Sequence, residues 1–262
     1  MIISFVVKQK LRSLLLVSTL PIVIVVLWEI AGRLGLTNSY LLPSPSAIWL
    51  AAVELWERGH LQRHLVVSVS RVLTGFSVSA SLALSLATLH HGLPVVRRIM
   101  SVPMEAIRVV PPLAMVPVLI LWLGIGEASK LAIIVLASFF PIYLSARTAL
   151  ASTDTRLLEM AKTLRLSRIE QTWFIVIPSA MPGLLTGLRL GFGYAWRALV
   201  GAEMIAAAAG LGYLIIDSEE LARTDRIFVG IFAIAATGLL LDAIFLRVLP
   251  KDNRSGMLKG VF

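Results

Sequence analysis

The chain has 262 residues, 58% of them apolar and 15% charged, with a mean hydropathy of +0.88. That composition belongs in lipid: six spanning helices of ~20 residues with short connections would use most of the length, which excludes a self-contained ATPase domain or a soluble enzyme. The net charge of +9 fits basic cytoplasmic loops better than nucleic-acid binding, and with no cysteine there is no disulfide, thiolate metal site or cysteine nucleophile.

The first apolar run, residues 14–31, follows Lys8, Lys10 and Arg12 and is broken only by Glu29. It is too long for a signal-peptide core and no small-residue cleavage site follows it, so it is predicted as the first span. After Leu42-Pro43-Ser44-Pro45-Ser46, the residues Ile48, Trp49, Ala52, Val53 and Trp56 recur at helical spacing. Ser46 is the expected cap of that helix, which either lies at the membrane interface or packs as an ordinary loop helix. Residues 65–89 form the second span, where Arg71 is expected to snorkel or pair and the many serines allow close helix approach.

Residues 101–123 are apolar enough to span but carry Pro103, Pro111, Pro112 and Pro117, which break the ladder of an ordinary helix. Broken backbone at membrane depth is tolerated only where protein buries it or it lines a wet cavity, so this stretch is the first candidate for a transport pathway. Further spans are expected at residues 130–150, with Pro141 inside, at 181–209 and at 227–249. A polar connection holding Asp217, Glu219, Glu220, Arg223, Asp225 and Arg226 separates the last two. Basic residues gather at the N-terminus, at Arg97 and Arg98, between Arg147 and Arg168, and after Arg247. The positive-inside rule then places both termini in the cytoplasm.

The loop from Ala151 to Trp173 is therefore cytoplasmic. Asp154 is placed to cap a short helix with Leu157, Leu158, Ala161 and Leu164 on one stripe, and Ser167 with Glu170 has the spacing of a capping box opening a second helix. Two such helices either dock into a groove on a soluble partner or pack on the protein's own helix ends.

Glu159-Met160-Ala161, Arg165, Ile175, Ile177 and Pro178 resemble the EAA loop of ABC importer membrane subunits, E-A-A-x3-G-x9-I-x-L-P. Met160, Arg165 and Ile177 depart from that pattern. Arg165 matters most, because the family glycine sits at the turn between the two helices, where a left-handed arginine would cost ~1 kcal/mol or more. Leu42-Pro43-Ser44-Pro45, Val110-Pro111-Pro112-Leu113-Ala114, Leu121-Trp122-Leu123-Gly124-Ile125-Gly126-Glu127, Phe139-Phe140-Pro141, Leu185-Thr186-Gly187-Leu188-Arg189 and Gly201-Ala202-Glu203-Met204 extend the likeness. Together they resemble the nitrate/sulfonate/taurine branch of that superfamily. One difference lies in the second span, where the family often has several glycines and this chain has Gly75 followed by Ala and Ser, so a looser helix approach is expected there.

The resemblance implies an all-α membrane protein with six transmembrane helices in the type I (MetI-like) importer fold. It forms a single domain over residues 1–262, with a first helix at 14–31, a five-helix core at 65–250 and a cytoplasmic coupling loop at 151–178. It also implies a multi-pass chain of the bacterial inner membrane that pairs with a second copy of itself. Two cytoplasmic ATPase subunits, which hold the ATP and Mg, and an extracytoplasmic binding protein complete the assembly; this chain carries no phosphate-binding glycine loop and no cofactor of its own. By position, Glu159, Met160, Ala161, Leu164, Arg165 and Pro178 would couple to the ATPase. Small residues and helix breaks assign the pathway to Pro111, Pro112, Met115, Gly191, Tyr194 and Gly201, with ordinary helix packing as the competing account. Arg108, Arg189 and Arg197 are candidates for attracting an anion, although Arg189 and Arg197 could instead pair with Glu203 or snorkel. The expected cargo is a small anion, with alkanesulfonate or taurine ranked ahead of nitrate. Two competing functions are a proton-coupled carrier using Glu203 and an intramembrane enzyme. The first lacks evident mid-membrane carboxylates or repeated halves, and the second lacks a nucleophile with a base in reach. His90-His91 is read as a loop pair near the headgroups.

Overall fold

The computed structural model describes residues 19–248, which are helical with no strand among them. In chain order, α1 covers residues 19–33, and α2 (Pro45–Glu57), α3 (His60–Gly92) and α4 (Pro94–Ile107) follow. A 3-10 turn (Pro112–Met115) leads into α5 (Val116–Leu123), and α6 (Glu127–Ala151), α7 (Thr155–Thr163) and α8 (Arg168–Gln171) come next. A π turn (Thr172–Val176) joins α8 to α9 (Ile177–Ala206), before α10 (Leu211–Glu220) and α11 (Thr224–Val248). Among the described residues, four helical runs are long and apolar enough to cross a membrane: α3, α6, the run containing α9, and α11. The α4–α5 pair, bent by 85°, makes a fifth if it counts as one span. The remaining expected span, residues 14–31, lies partly outside the described residues.

The chain divides into two compact units, one comprising residues up to Gln62 with Leu214–Phe232, the other Arg63–Tyr213 with the residues from Ala233 onward. In the first, the Glu29 carboxylate accepts from the Ser46 N–H at 2.9 Å and from the Arg33 guanidinium at 2.6 Å, so this charge inside an apolar helix is satisfied. The cap of α2 is Ser44, whose hydroxyl accepts from the Ala47 N–H, and not Ser46: Pro45 suits the first helical position, which moves the boundary back. The polar connection expected between the last two spans instead folds as α10. That helix closes on left-handed Ala222 (φ 53°), with Arg223 N–H donating to the Ser218 carbonyl and Ala222 N–H to that of Glu219. Glu54 of α2 receives Arg223 at 3.3 Å and Arg226 at 3.1 Å. Partial burial pushes the Glu54 carboxyl up, but the Arg226 and Arg223 guanidiniums outweigh it and hold it below the usual carboxylate range.

The second unit is organised around α6 and α9. Gly183, Gly187 and Gly191, one helical turn apart, bring the α9 backbone onto α6: a Cβ at these positions would lie 2.6 Å from Ala149, 2.5 Å from Ser145 and 2.3 Å from Ile142. The same device operates between α3 and α6. Gly75, Ser79, Ala83 and Ala87 recur every four residues; a Cβ on Gly75 would meet Ile134 at 2.7 Å, and the Ser79 hydroxyl donates to the Val135 carbonyl. The looser approach expected for α3 is therefore corrected, because serine and alanine are small enough to replace the glycines. Ala83, Ala87, Ile142, Tyr143, Ala146 and Val176 belong to one buried apolar core cluster. His90, expected near the headgroups, is buried in α3 with its Nδ1 2.8 Å from the Tyr143 hydroxyl.

Candidate functional site

The expected break in the third span is present. Arg108 closes α4, Pro111 is extended, and the 3-10 turn Pro112–Met115 restarts the helix after the 85° bend. With no N–H on Pro111, Pro112 or Pro117, the backbone cannot carry a continuous ladder here. Of the residues expected to line a pathway, Gly201 faces this turn, with Leu113 3.0 Å from where its Cβ would be, and Met115 packs on the cluster of Val116, Leu119, Ile133 and Ala202. Pro111 and Tyr194 are exposed and Pro112 half-buried. Gly191 does not join them: it is buried in the α6 seam, so its lack of a side chain serves helix packing.

On the polar α7–α8 loop, the Asp154 carboxylate caps α7 by accepting from the Arg156 N–H, and Ser167 with Glu170 makes the complete capping box on α8. Between the helices Arg165 is left-handed (φ 55°), Leu166 N–H donates to the Ala161 carbonyl and Arg165 N–H to that of Lys162. This is a Schellman closure with arginine where glycine would be unstrained. Arg165→Gly is accordingly expected to stabilise the loop by ~1 kcal/mol, read as stronger hydrogen-exchange protection of residues 155–171; unchanged or weaker protection would refute the strain. Glu159, Met160 and Leu164 are exposed, whereas Ala161 is fully buried on the chain's own side. Ala161 thus anchors α7, and Glu159, Met160 and Leu164 face outward. Pro178 does not end the loop: α8 runs on into α9. The missing Pro178 N–H and the clash of its ring with the Phe174 carbonyl give a reason for the wider π turn, where Ile177 N–H reaches back to the Thr172 carbonyl.

The structure also assembles a cluster that sequence reasoning left in pieces. Arg71 of α3 donates through Nε and one terminal nitrogen to the two Glu127 oxygens at 2.6 and 2.7 Å, and through the other to Glu203 at 2.7 Å and the Ala209 carbonyl at 2.6 Å. Lys130 donates to Glu127 at 2.9 Å. Glu203, with no exposed side chain, also accepts from the Ser68 hydroxyl and from the Gly212 N–H. Gly210 (φ 130°) admits the carboxylate, since a Cβ there would lie 2.3 Å from it. Two cations and two carboxylates balance, tying the ends of α3, α6 and α9 and the 207–210 loop into a neutral unit. Glu203 is a fixed partner of Arg71, which removes it from pairing with Arg189 or Arg197. Arg189 is held by Asp242 of α11 through two bonds of 2.8 Å, and Arg108 pairs with Glu105.

A helical membrane chain with a broken span, small-residue helix seams and two capped helices on its polar loop has an architecture that suits a transport permease. Residues 75–251 match the family described as the inner membrane component of binding-protein-dependent transport systems, and the chain belongs to that family. A permease assigned to aliphatic sulfonate transport in Bacillus subtilis is 35% identical over 88% of this chain and 84% of the relative. The taurine transport system permease of Escherichia coli is 35% identical over 90% of this chain and 86% of its own. The bicarbonate transport system permease of Synechocystis is 30% identical, covering 82% and 80%. Among solved structures, an amino acid ABC transporter matches with a TM-score of 0.62 at 16% identity over 78% of this chain and 97% of that one. The MetNI methionine ABC transporter matches at 0.53 and 17%, over 71% and 97%. These two likenesses show the fold alone. The chain is the permease component of an ABC importer of the inner membrane.

Proposed function

We propose that this permease passes a small anion, an aliphatic sulfonate or taurine ahead of nitrate-like anions, from an extracytoplasmic binding protein to the cytoplasm. The observation that carries the reading is 35% identity, along most of the chain, to relatives named for aliphatic sulfonate and taurine transport. Two copies of the chain form the path, with both termini cytoplasmic. Two ATPase subunits, which bind ATP and Mg, seat the α7–α8 loop; Glu159, Met160 and Leu164 meet them, while Arg165 sets the bend and buried Ala161 holds α7 to its own bundle. ATP-driven closure of the ATPase pair pushes the loops together, and the paired bundles rock between two packings to alternate access. Pro111, Pro112, Met115 and Gly201 give the path its break, and Tyr194 lies on the open face of α9.

The test is ATP hydrolysis by the complete importer in lipid vesicles, with and without binding protein and each candidate anion. The anion that stimulates hydrolysis and accumulates names the cargo. Glu159→Ala is expected to reduce stimulated hydrolysis about tenfold, the weight of one lost charged contact, in a complex that still assembles. If no ATPase associates and uptake follows a proton gradient, the reading fails.

A further inference from the structure

We propose that Arg197 is the anion-selecting residue of the path, a water-facing guanidinium on the open face of α9 that receives the cargo's negative end. The inference rests on the anion-import reading above and assigns to one residue a role that sequence alone spread over three arginines. α9 has three distinguishable faces. Gly183, Gly187 and Gly191 close on α6. Arg189, Phe192 and Trp196 meet α11, through Asp242, Phe245 and Gly238. Leu190, Tyr194, Arg197 and Met204, spaced at helical intervals, are exposed in the single chain, with Leu113 closing over the stripe at Gly201.

That open face carries an unneutralised charge. Arg71 and Lys130 are held by Glu127 and Glu203, Arg189 by Asp242 and Arg108 by Glu105. The Arg197 guanidinium lies 5.7 Å from the centre of the Tyr194 ring and has no carboxylate partner among the described residues. A guanidinium stays charged and offers five N–H donors, so facing hydrocarbon at this position is costly. Snorkelling does not relieve it. Arg197 lies roughly 14 Å along the helix from the Ala206 end, and its side chain folds over Tyr194, one turn further from that end. A cation held on an aromatic face with its donors free suits an oxyanion, two of whose oxygens accept from one edge of the planar fork, as those of a sulfonate do.

Two measurements test this on the complete importer in vesicles. Because the permease has no cysteine, Arg197→Cys and Tyr194→Cys can each be probed with a membrane-impermeant anionic thiosulfonate reagent. Buried Ala195→Cys serves as the control. Labelling of the first two and not the third is expected; an unlabelled Arg197→Cys overturns the water-facing assignment. In ATP-driven uptake of taurine and ethanesulfonate, Arg197→Gln is expected to raise the half-saturating concentration of cargo-loaded binding protein, or to cut uptake, about tenfold, with Arg197→Lys recovering most of it. Uptake by Arg197→Gln equal to wild type, or no recovery with lysine, overturns the selecting role. If wild type imports no sulfonate at all, the cargo reading is what fails, and labelling of Arg197→Cys still decides whether the residue faces water.

Discussion

Arg71→Met is expected to be the most damaging single substitution in the described chain, lowering stability by about 3–5 kcal/mol, the usual cost of orphaning a buried charge. Methionine matches the length of the arginine stem but leaves the Glu203 carboxylate buried with only Ser68 and Gly212 as donors, and the Ala209 carbonyl with none. The Glu127 arm contributes less, because that side chain is 58% exposed and water can replace part of the pairing. The measurement is the rate of thermal unfolding of the purified permease in nanodiscs, a kinetic readout suited to irreversible unfolding. Arg71→Met/Glu203→Met, which removes both charges, is expected to be more stable than Arg71→Met alone, because it leaves no orphaned carboxylate. Wild-type stability in Arg71→Met would mean that water or another cation serves Glu203, and the neutral cluster would not be what ties these helix ends.

What sequence made legible here followed local rules. The capping box at Ser167 and Glu170, the Asp154 cap and the proline break after Arg108 each need only a few adjacent residues, and all three are present. The strain at Arg165 was also visible, because a motif position that wants glycine is a statement about one backbone angle. Long-range pairing was not legible. Arg71 and Glu203 were each seen as charges on apolar helices and Glu127 only as the end of a motif, yet nothing local says that residues this far apart meet. Their depth was an available signal, since all three lie near helix ends expected on the same side of the membrane. Ser46 was displaced by Ser44 because Pro45 prefers the first helical position, a competition between neighbours that composition does not resolve. Gly191 meets a related limit: a glycine on a spanning helix marks close approach, and sequence does not say whether the approaching group is cargo or another helix, whereas the structure sets Ile142 against it.

The two glycines at 191 and 193 separate these meanings. They lie two positions apart on one helix, so substitution by alanine changes local propensity equally, by ~1 kcal/mol in favour of the helix. At Gly193 a Cβ meets nothing within 4 Å in the single chain, and Gly193→Ala is expected to be neutral or mildly stabilising. At Gly191 the Cβ would sit 2.3 Å from Ile142 Cγ1 and 3.2 Å from the Ser138 carbonyl, so one neighbour is a flexible side chain and the other is backbone. Gly191→Ala must push α6 and α9 apart along a seam that Gly183 and Gly187 hold closed, at a cost of about 1–3 kcal/mol. Gly191→Val, with two more carbons, is expected to prevent recovery of folded permease. Ile142→Ala removes the atoms nearest the new Cβ but also empties a buried core position, at about 2–5 kcal/mol, so Gly191→Ala/Ile142→Ala should lose less stability than the sum of the two single losses. The decisive comparison is thermal unfolding of Gly193→Ala, Gly191→Ala, Ile142→Ala and Gly191→Ala/Ile142→Ala in nanodiscs beside cargo uptake. If Gly191→Ala unfolds like wild type while uptake falls, the glycine serves passage rather than packing; if both fall together and the losses at 191 and 142 are less than additive, the α6–α9 seam is what it maintains.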